Sequence, residues 1–284
     1  MPIHPRVVCS TITFRHRSLP EALTLIQQAG FGGIDLGALP GVCSHVPEVL
    51  DGAAVQRVAA QVDKSGREVI SINADIGDLN APLTPGEQSA RDEHLRTLVD
   101  LCAAVRSPAL VLPNGSMGAE PLGTLDADLD LVADQLRHAA TITETGGVAL
   151  WVEAQHSLRL AGTTERAVAL MDRLTDAPVG VVMDFSHVVA AGDDLRAFVA
   201  AFADRIVHVH LRDAVAGNIH RSIGNGEVDF PAGIRALLDG GYRGFFSLEL
   251  ETDDVAESDR PAAALAAGET IGAVIAAHEP ENTV

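Results

Sequence analysis

Four acid or imidazole side chains close four successive apolar runs in the second half of this chain. VALWVE ends in Glu153, VGVVMD in Asp184, IVHVH in His210 and GFFSLE in Glu249. They stand 31, 26 and 39 residues apart, each interval about one strand plus one helix. A chain punctuated this way is constrained to repeat a βα unit and to bring its polar strand ends to one rim, as a closed parallel barrel does.

The rest of the sequence carries the same alternation. Apolar, β-branched runs predict strands near 6–10, 31–36, 67–73, 108–113, 148–153, 179–184, 206–211 and 244–250, with helical periodicity between them. In 86–105, Leu95, Leu98, Val99, Cys102 and Val105 share one face. Ser18-Leu19-Pro20-Glu21 and Thr84-Pro85-Gly86-Glu87 have the form of capping boxes, so helices are expected to begin near 19 and 85. Gly30, Gly66, Gly146 and Gly240 fall where helical stretches end before the next strand, a place for a left-handed residue. At 284 residues the expectation is one α/β domain, a single (β/α)8 barrel over 1–277 with a short tail at 278–284, since such a barrel needs roughly 250 residues.

Charge and cysteine content narrow the function. Twenty basic against 39 acidic residues leave a net charge of −19, a field that repels phosphate backbones and anionic membranes, so no nucleic-acid or membrane partner is expected. No apolar run reaches the ~18 residues that a membrane helix requires, and MPIHPRVVCS does not read as a secretory signal. A cytoplasmic location is the expectation. Cys9, Cys43 and Cys102 are odd in number and widely spaced, which argues for reduced thiols and against a thiolate zinc motif.

At a common rim, three carboxylates and one imidazole make a hard O/N set suited to Mn²⁺ or Mg²⁺, with Co²⁺ or Zn²⁺ also plausible. Each residue taken alone has a plain alternative, because an acid at a strand end often caps the next helix. Glu251 competes with Glu249, since a register slip of two keeps the same facing. Beyond Asp184 and Glu153, at the same spacing of three, stand His187 and His156 as candidates to touch substrate. His220-Arg221 precedes the glycine turn Gly224-Asn225-Gly226, where Arg221 could clamp an anion or a hydroxyl. Asp213 could orient His210 or a neighbouring loop. In the first half Phe14, His16, Asp35, His45, Asn73 and Asn114 are candidates for the remainder of the pocket wall.

WVEAQHS, VVMDFSHVVAAGDD, IVHVHLRDA, HRSIGNGEVDF and YRGFFSLELE resemble the strand-five Glu, D-x-x-H, H-x-x-D, glycine-turn and terminal Glu patterns of the xylose-isomerase-like TIM-barrel superfamily of sugar isomerases and epimerases. The resemblance covers nearly the whole chain. It departs at Asp35, where many relatives have Glu, and at SIGNG, which lacks the common proline. It implies that Glu153, Asp184, His210 and Glu249 hold one divalent metal ion, that His187 and Arg221 touch substrate, and that a homodimer or homotetramer is reasonable. The expected activity is a metal-dependent isomerase or epimerase of a small keto-sugar, polyol ketone or hydroxy-keto acid, with Glu153 and Glu249 exchanging the proton of an enediolate. Three other readings stay open: a dehydratase of inosose or 3-dehydroshikimate type on the same barrel, an apurinic-site endonuclease, and a non-catalytic binding barrel.

Overall fold

In a computed structural model, which describes residues 2–278, eight parallel strands close into a barrel. They are β1 (Val7–Ser10), β2 (Gly33–Ala38), β3 (Glu68–Ala74), β4 (Ala109–Pro113), β5 (Ala149–Glu153), β6 (Val179–Asp184), β7 (Ile206–Leu211) and β10 (Phe246–Leu248). The order round the barrel is β1-β10-β7-β6-β5-β4-β3-β2, so sequence neighbours are spatial neighbours throughout. Between β7 and β10 a two-stranded antiparallel hairpin, β8 (Asp213–Val215) and β9 (Asn218–Arg221), stands outside the barrel. The sequence reading did not anticipate it. Of the tail expected at 278–284, all but His278 lies outside the described residues.

An outer ring of helices covers the strands: α1 (Leu19–Gln28), α2 (Gly52–Ser65), α3 (Pro85–Val105), α4 (Leu125–Thr145), α5 (Thr164–Asp172), α6 (Phe185–Ala190), α7 (Leu195–Phe202), α8 (Phe230–Asp239) and α9 (Arg260–Ala276). Both expected capping boxes form. Glu21 accepts the Ser18 backbone N–H at 2.9 Å, and Glu87 accepts that of Thr84 at 2.8 Å. The face predicted for α3 is the buried one, with Leu95, Leu98, Val99, Cys102 and Val105 all against the sheet. The left-handed residue sits where expected at Gly30 (φ 88°) and Gly66 (φ 65°), but one residue later than expected at Gly147 (φ 71°) and Gly241 (φ 89°). Helices α4 and α8 each keep one more right-handed residue before turning.

The interior is not apolar all through. Asp35, Ser71, His208 and Ser247 are fully buried among the barrel strands, and His208 donates to Asp35 at 2.7 Å. Asp35 lies in mid-strand rather than ending β2. Cys9, Cys43 and Cys102 are free and buried. No helix among the described residues is long and apolar enough to cross a membrane.

Candidate active site

The carboxyl ends of β5, β6, β7 and β10 deliver the four strand-end residues to one point. Glu153 and Asp184 are the last residues of their strands, His210 the penultimate one, and Glu249 follows β10 directly. Asp184 is level with His210 across the β6–β7 ladder, and His210 with Ser247 across β7–β10, which aligns the three strand ends. One ligand atom from each of Glu153, Asp184, His210 and Glu249 lies within 4.8 Å of the others, and all four residues are buried. His210 Nδ1 is 3.6 Å from Glu249 Oε2 and 3.8 Å from Glu153 Oε1. Glu251 stands outside this group and pairs with Arg212 and Arg15.

Asp184 performs the capping task and leaves an oxygen over. Its Oδ1 accepts from the backbone N–H of Ser186 at 2.6 Å and of His187 at 3.3 Å, capping α6, while Oδ2 is buried without a hydrogen-bond partner. Glu153 Oε1 and His210 Nδ1 are likewise buried and unpartnered. Three orphaned acceptor or ligand atoms facing one spot are costly in a protein interior unless something positive sits between them. The donor set, three carboxylates and an imidazole, fits a divalent cation.

Surrounding groups hold the four in place. Asn73, at the end of β3, donates to Glu249 Oε1 at 3.1 Å. Asp35 Oδ2 is 3.5 Å from His210 Nε2, on the far side of the ring from the cluster. Asn114 donates to the backbone carbonyl of Glu153 at 3.0 Å and accepts from Ala161 N–H at 3.0 Å, tying β4 to the loop after β5. Burial, with Asp184 and Glu249 adding to it, pushes the Glu153 carboxyl up to about 7, against the pull of His210. His210 is raised well above an ordinary imidazole: burial works against its charge, but Glu249, Asp35 and Glu153 outweigh it. Burial would raise Asp35, yet the two histidines hold it far below the carboxylate range.

The cluster opens into a cavity of about 370 Å³ lined by Glu153, His156, His187, Arg212, His220, Glu249 and Glu251, with aliphatic side chains such as Ile12 and Ile219 at the wall. No Phe, Tyr or Trp is among its lining residues. His187 Nδ1 accepts from the Ser157 backbone N–H at 3.2 Å, which puts the ring proton on Nε2, 3.9 Å from Glu153 Oε1 and from Asp184 Oδ2. Burial first, then the charge of Arg212, lowers His187 well below 6.5, so it faces the cavity as a neutral donor. His156 stacks on it with ring centroids 3.7 Å apart and has its own Nδ1 fixed by Leu158 N–H.

Several placements differ from expectation. Arg221 ends β9 opposite Asp213 and is not among the residues lining the cavity; its neighbour His220 is. Of the two roles expected for Asp213, orienting His210 or a neighbouring loop, it takes the second. Its carboxylate accepts backbone N–H groups of Ala214, Gly224, Gly226 and Val228, knotting the loop. His45 bonds Cys43 and the Arg17 carbonyl, Phe14 is core, and His16 accepts from Arg15, so these three carry no cavity role. Arg212, Arg159 and His208 escaped the sequence reading. His208 and Arg212 stand two residues either side of His210, on the same strand face, and that alternation was the available signal.

Comparison with known proteins agrees with this fold. The family model described as xylose isomerase-like TIM barrel matches residues 23–271. A Streptomyces coelicolor protein provisionally named hydroxypyruvate isomerase is 27% identical over 260 residues, covering 86% of this chain and 89% of its own. The 3-dehydroshikimate dehydratase of Pseudomonas aeruginosa is 26% identical over 254 residues, 83% of this chain and 36% of that one. Among solved structures, that of the IOLI protein with a binding zinc atom superposes with TM-score 0.77 at 18% identity, covering 96% of this chain and 99% of that one. The relatives are enzymes, isomerases and dehydratases among them.

Proposed function

Because the chain belongs to the xylose isomerase-like TIM barrel family, we propose that it is a divalent-metal-dependent isomerase or epimerase of a small α-hydroxy ketone: a keto-sugar, polyol ketone or hydroxy-keto acid. The observation that carries this reading is the convergence of Glu153 Oε1, Asp184 Oδ2 and His210 Nδ1, all buried and unpartnered, beside Glu249. These four residues would hold the cation. Mn²⁺ or Mg²⁺ suits the oxygen-rich set best, and Co²⁺ and Zn²⁺ remain in the test because a fold neighbour carries zinc.

A bound divalent cation would supply Lewis acidity toward adjacent carbonyl and hydroxyl oxygens, stabilising the negative charge that develops as the carbon-bound proton departs. The proton itself moves between carboxylates. Glu153 on β5 and Glu249 after β10 approach the cavity from well-separated strands, with β6 and β7 between them on the shorter way round. One carboxylate takes the proton from a substrate carbon, an enediolate forms, and the other returns a proton to the opposite face or the neighbouring carbon. Burial raises Glu153 to about 7 in the cation-free protein, and a bound cation would favour its carboxylate form, the form that accepts a proton. The Asn73 amide keeps Glu249 Oε1 in position, and His187 Nε2–H donates to a substrate oxygen without changing charge. Arg221 would add only a distant positive charge from the hairpin edge.

The competing reading is a dehydratase, favoured by the dehydroshikimate dehydratase relative. It shares the first proton abstraction and then expels hydroxide. Incubating the Mn²⁺-loaded protein with candidate hydroxy ketones in heavy water and following products by NMR separates the two. Solvent deuterium at the carbon next to the carbonyl without loss of water is expected; loss of water selects the dehydratase, and neither across the candidate ketones removes both.

A further inference from the structure

The cluster has a positive neighbour that the proton transfer leaves unused. Arg212 follows β7, is 2% exposed, and lines the cavity. Its Nη2 lies 3.7 Å from Asp184 Oδ2 and its Nη1 3.3 Å from Glu251 Oε2, while Ser186 Oγ accepts from Nε and Nη2, both at 3.3 Å. These are long contacts for a buried guanidinium, whose charge-assisted bonds ordinarily run ~2.7–2.9 Å. These three hydrogen bonds engage only part of the five-donor fork that the side chain offers.

The local charge is also uneven. Asp184 turns its unpartnered oxygen to the cation position, so Glu251 is the carboxylate left for Arg212, and Glu251 is shared with Arg15. Two guanidinium groups, Arg212 and Arg15, thus pair with the one partly exposed carboxylate of Glu251. Arg212 has only long contacts to its neighbours and faces the space a small substrate would enter. An anion that reached it would sit a few ångströms from the ketone oxygens of a bound substrate, because Arg212 is that close to Asp184.

We propose that Arg212 is the specificity-determining residue of this site and that the substrate carries a carboxylate: a small hydroxy-keto acid whose carboxylate lies against the guanidinium while its keto and hydroxyl oxygens face the four-residue cluster. This rests on the reading given under Proposed function and selects one of its substrate classes. A planar fork matches a planar carboxylate with two parallel bonds.

Calorimetry on the Mn²⁺-saturated protein tests it with three small probes: D-glycerate, its neutral amide, and glycerol 3-phosphate. Mn²⁺ affinity is measured first in the same preparation. Failure of the wild-type protein to bind Mn²⁺ would sink the metal site and with it the reading above. With Mn²⁺ bound, glycerate is expected to bind at least about 30-fold more tightly than the amide, the effect of a charge-assisted bond worth ~2 kcal/mol. Arg212→Met should remove that preference while keeping Mn²⁺ affinity, and Arg212→Lys should restore part of it. Equal binding of glycerate and amide to the wild-type protein overturns the inference, as does an undiminished preference in Arg212→Met. Tighter binding of glycerol 3-phosphate than of glycerate overturns the carboxylate assignment in favour of a phosphorylated substrate. Should Arg212→Met fail to fold, the Arg212→Lys comparison and the wild-type ranking decide between the same outcomes.

Discussion

The two halves of the barrel rim are built from the same βα unit and yet bear different chemistry. Strands β5, β6, β7 and β10 end in Glu153, Asp184, His210 and Glu249, side chains with charge to offer a ligand. Strands β3 and β4 end beside Asn73 and Asn114, amides whose bonds run to the other half: Asn73 to Glu249, Asn114 to the backbone after Glu153. One half would act and the other hold it steady. An unpaired carboxylate is costly when buried, so it persists only where something recruits it, whereas an amide satisfied by neighbours costs little anywhere. The halves therefore differ in how much each position constrains the chemistry, and substitutions should separate them by size of effect.

The largest effect belongs to the acting half. Glu153→Gln keeps the shape and removes the proton carrier, so turnover of the hydroxy ketone should fall by about 10³-fold or more, together with weaker cation binding; a loss under tenfold would mean that the proton travels elsewhere. Next in size is a pH effect on the cation-free protein. Glu153 has a folded pKa near 7 against an ordinary 4.5. The folded state therefore binds more protons between those values, and stability falls as pH rises through that window, by on the order of 3 kcal/mol. His210, raised above 6.5, acts in the same direction: its stabilisation is complete below 6.5 and is lost as pH climbs through the folded value. Thermal melts from pH 4.5 to 8 should thus show a declining midpoint without cation and a flatter one with Mn²⁺, whose affinity should strengthen toward neutral pH as protons leave. A midpoint independent of pH in both conditions would remove the acid–imidazole coupling.

The steadying half should respond more gently. Asn73→Ala frees Glu249 Oε1 and is expected to weaken cation affinity or turnover by about 10–100-fold, as loss of a partner to a ligand usually does. An effect as large as that of Glu153→Gln would erase the distinction between the halves. Smallest of all, Arg221→Ala should change KM less than about threefold, since the side chain is not among those lining the cavity and rim charges contribute little. A tenfold rise would return Arg221 to the substrate contacts that the family resemblance implies.

How much was legible follows the same division. Eight strands, both capping boxes and the meeting of Glu153, Asp184, His210 and Glu249 could be read because periodicity and strand-end polarity are local signals repeated at a fixed interval. Asn73 and Asn114 could be read as candidates for the pocket wall, and Asn73 does line the cavity, but their bonds to the other half could not. Asn73 reaches Glu249 across 176 positions, and nothing at either site announces the bond. Asp35 looked like a strand end but sits mid-strand under His208 and His210, because a register shift at Ile34/Asp35 lets β2 continue to Ala38. Arg212 stands on the alternating face of HVHLR, where the strand period alone could have marked it. The hairpin β8–β9 lies in a segment whose Asp213, His220 and Arg221 were read as single residues, without strand pairing.

That hairpin owes its form to Asp213, whose carboxylate is ringed by four backbone amides and leaves no room at Gly226, where a methyl group would stand 2.2 Å from Oδ1. A surface excursion pinned at its root in this way has little freedom left to surrender when a guest arrives. The His220 side of the cavity should therefore behave as a fixed template, so that affinity for a ligand reflects fit and charge rather than the entropy of tidying a floppy strand.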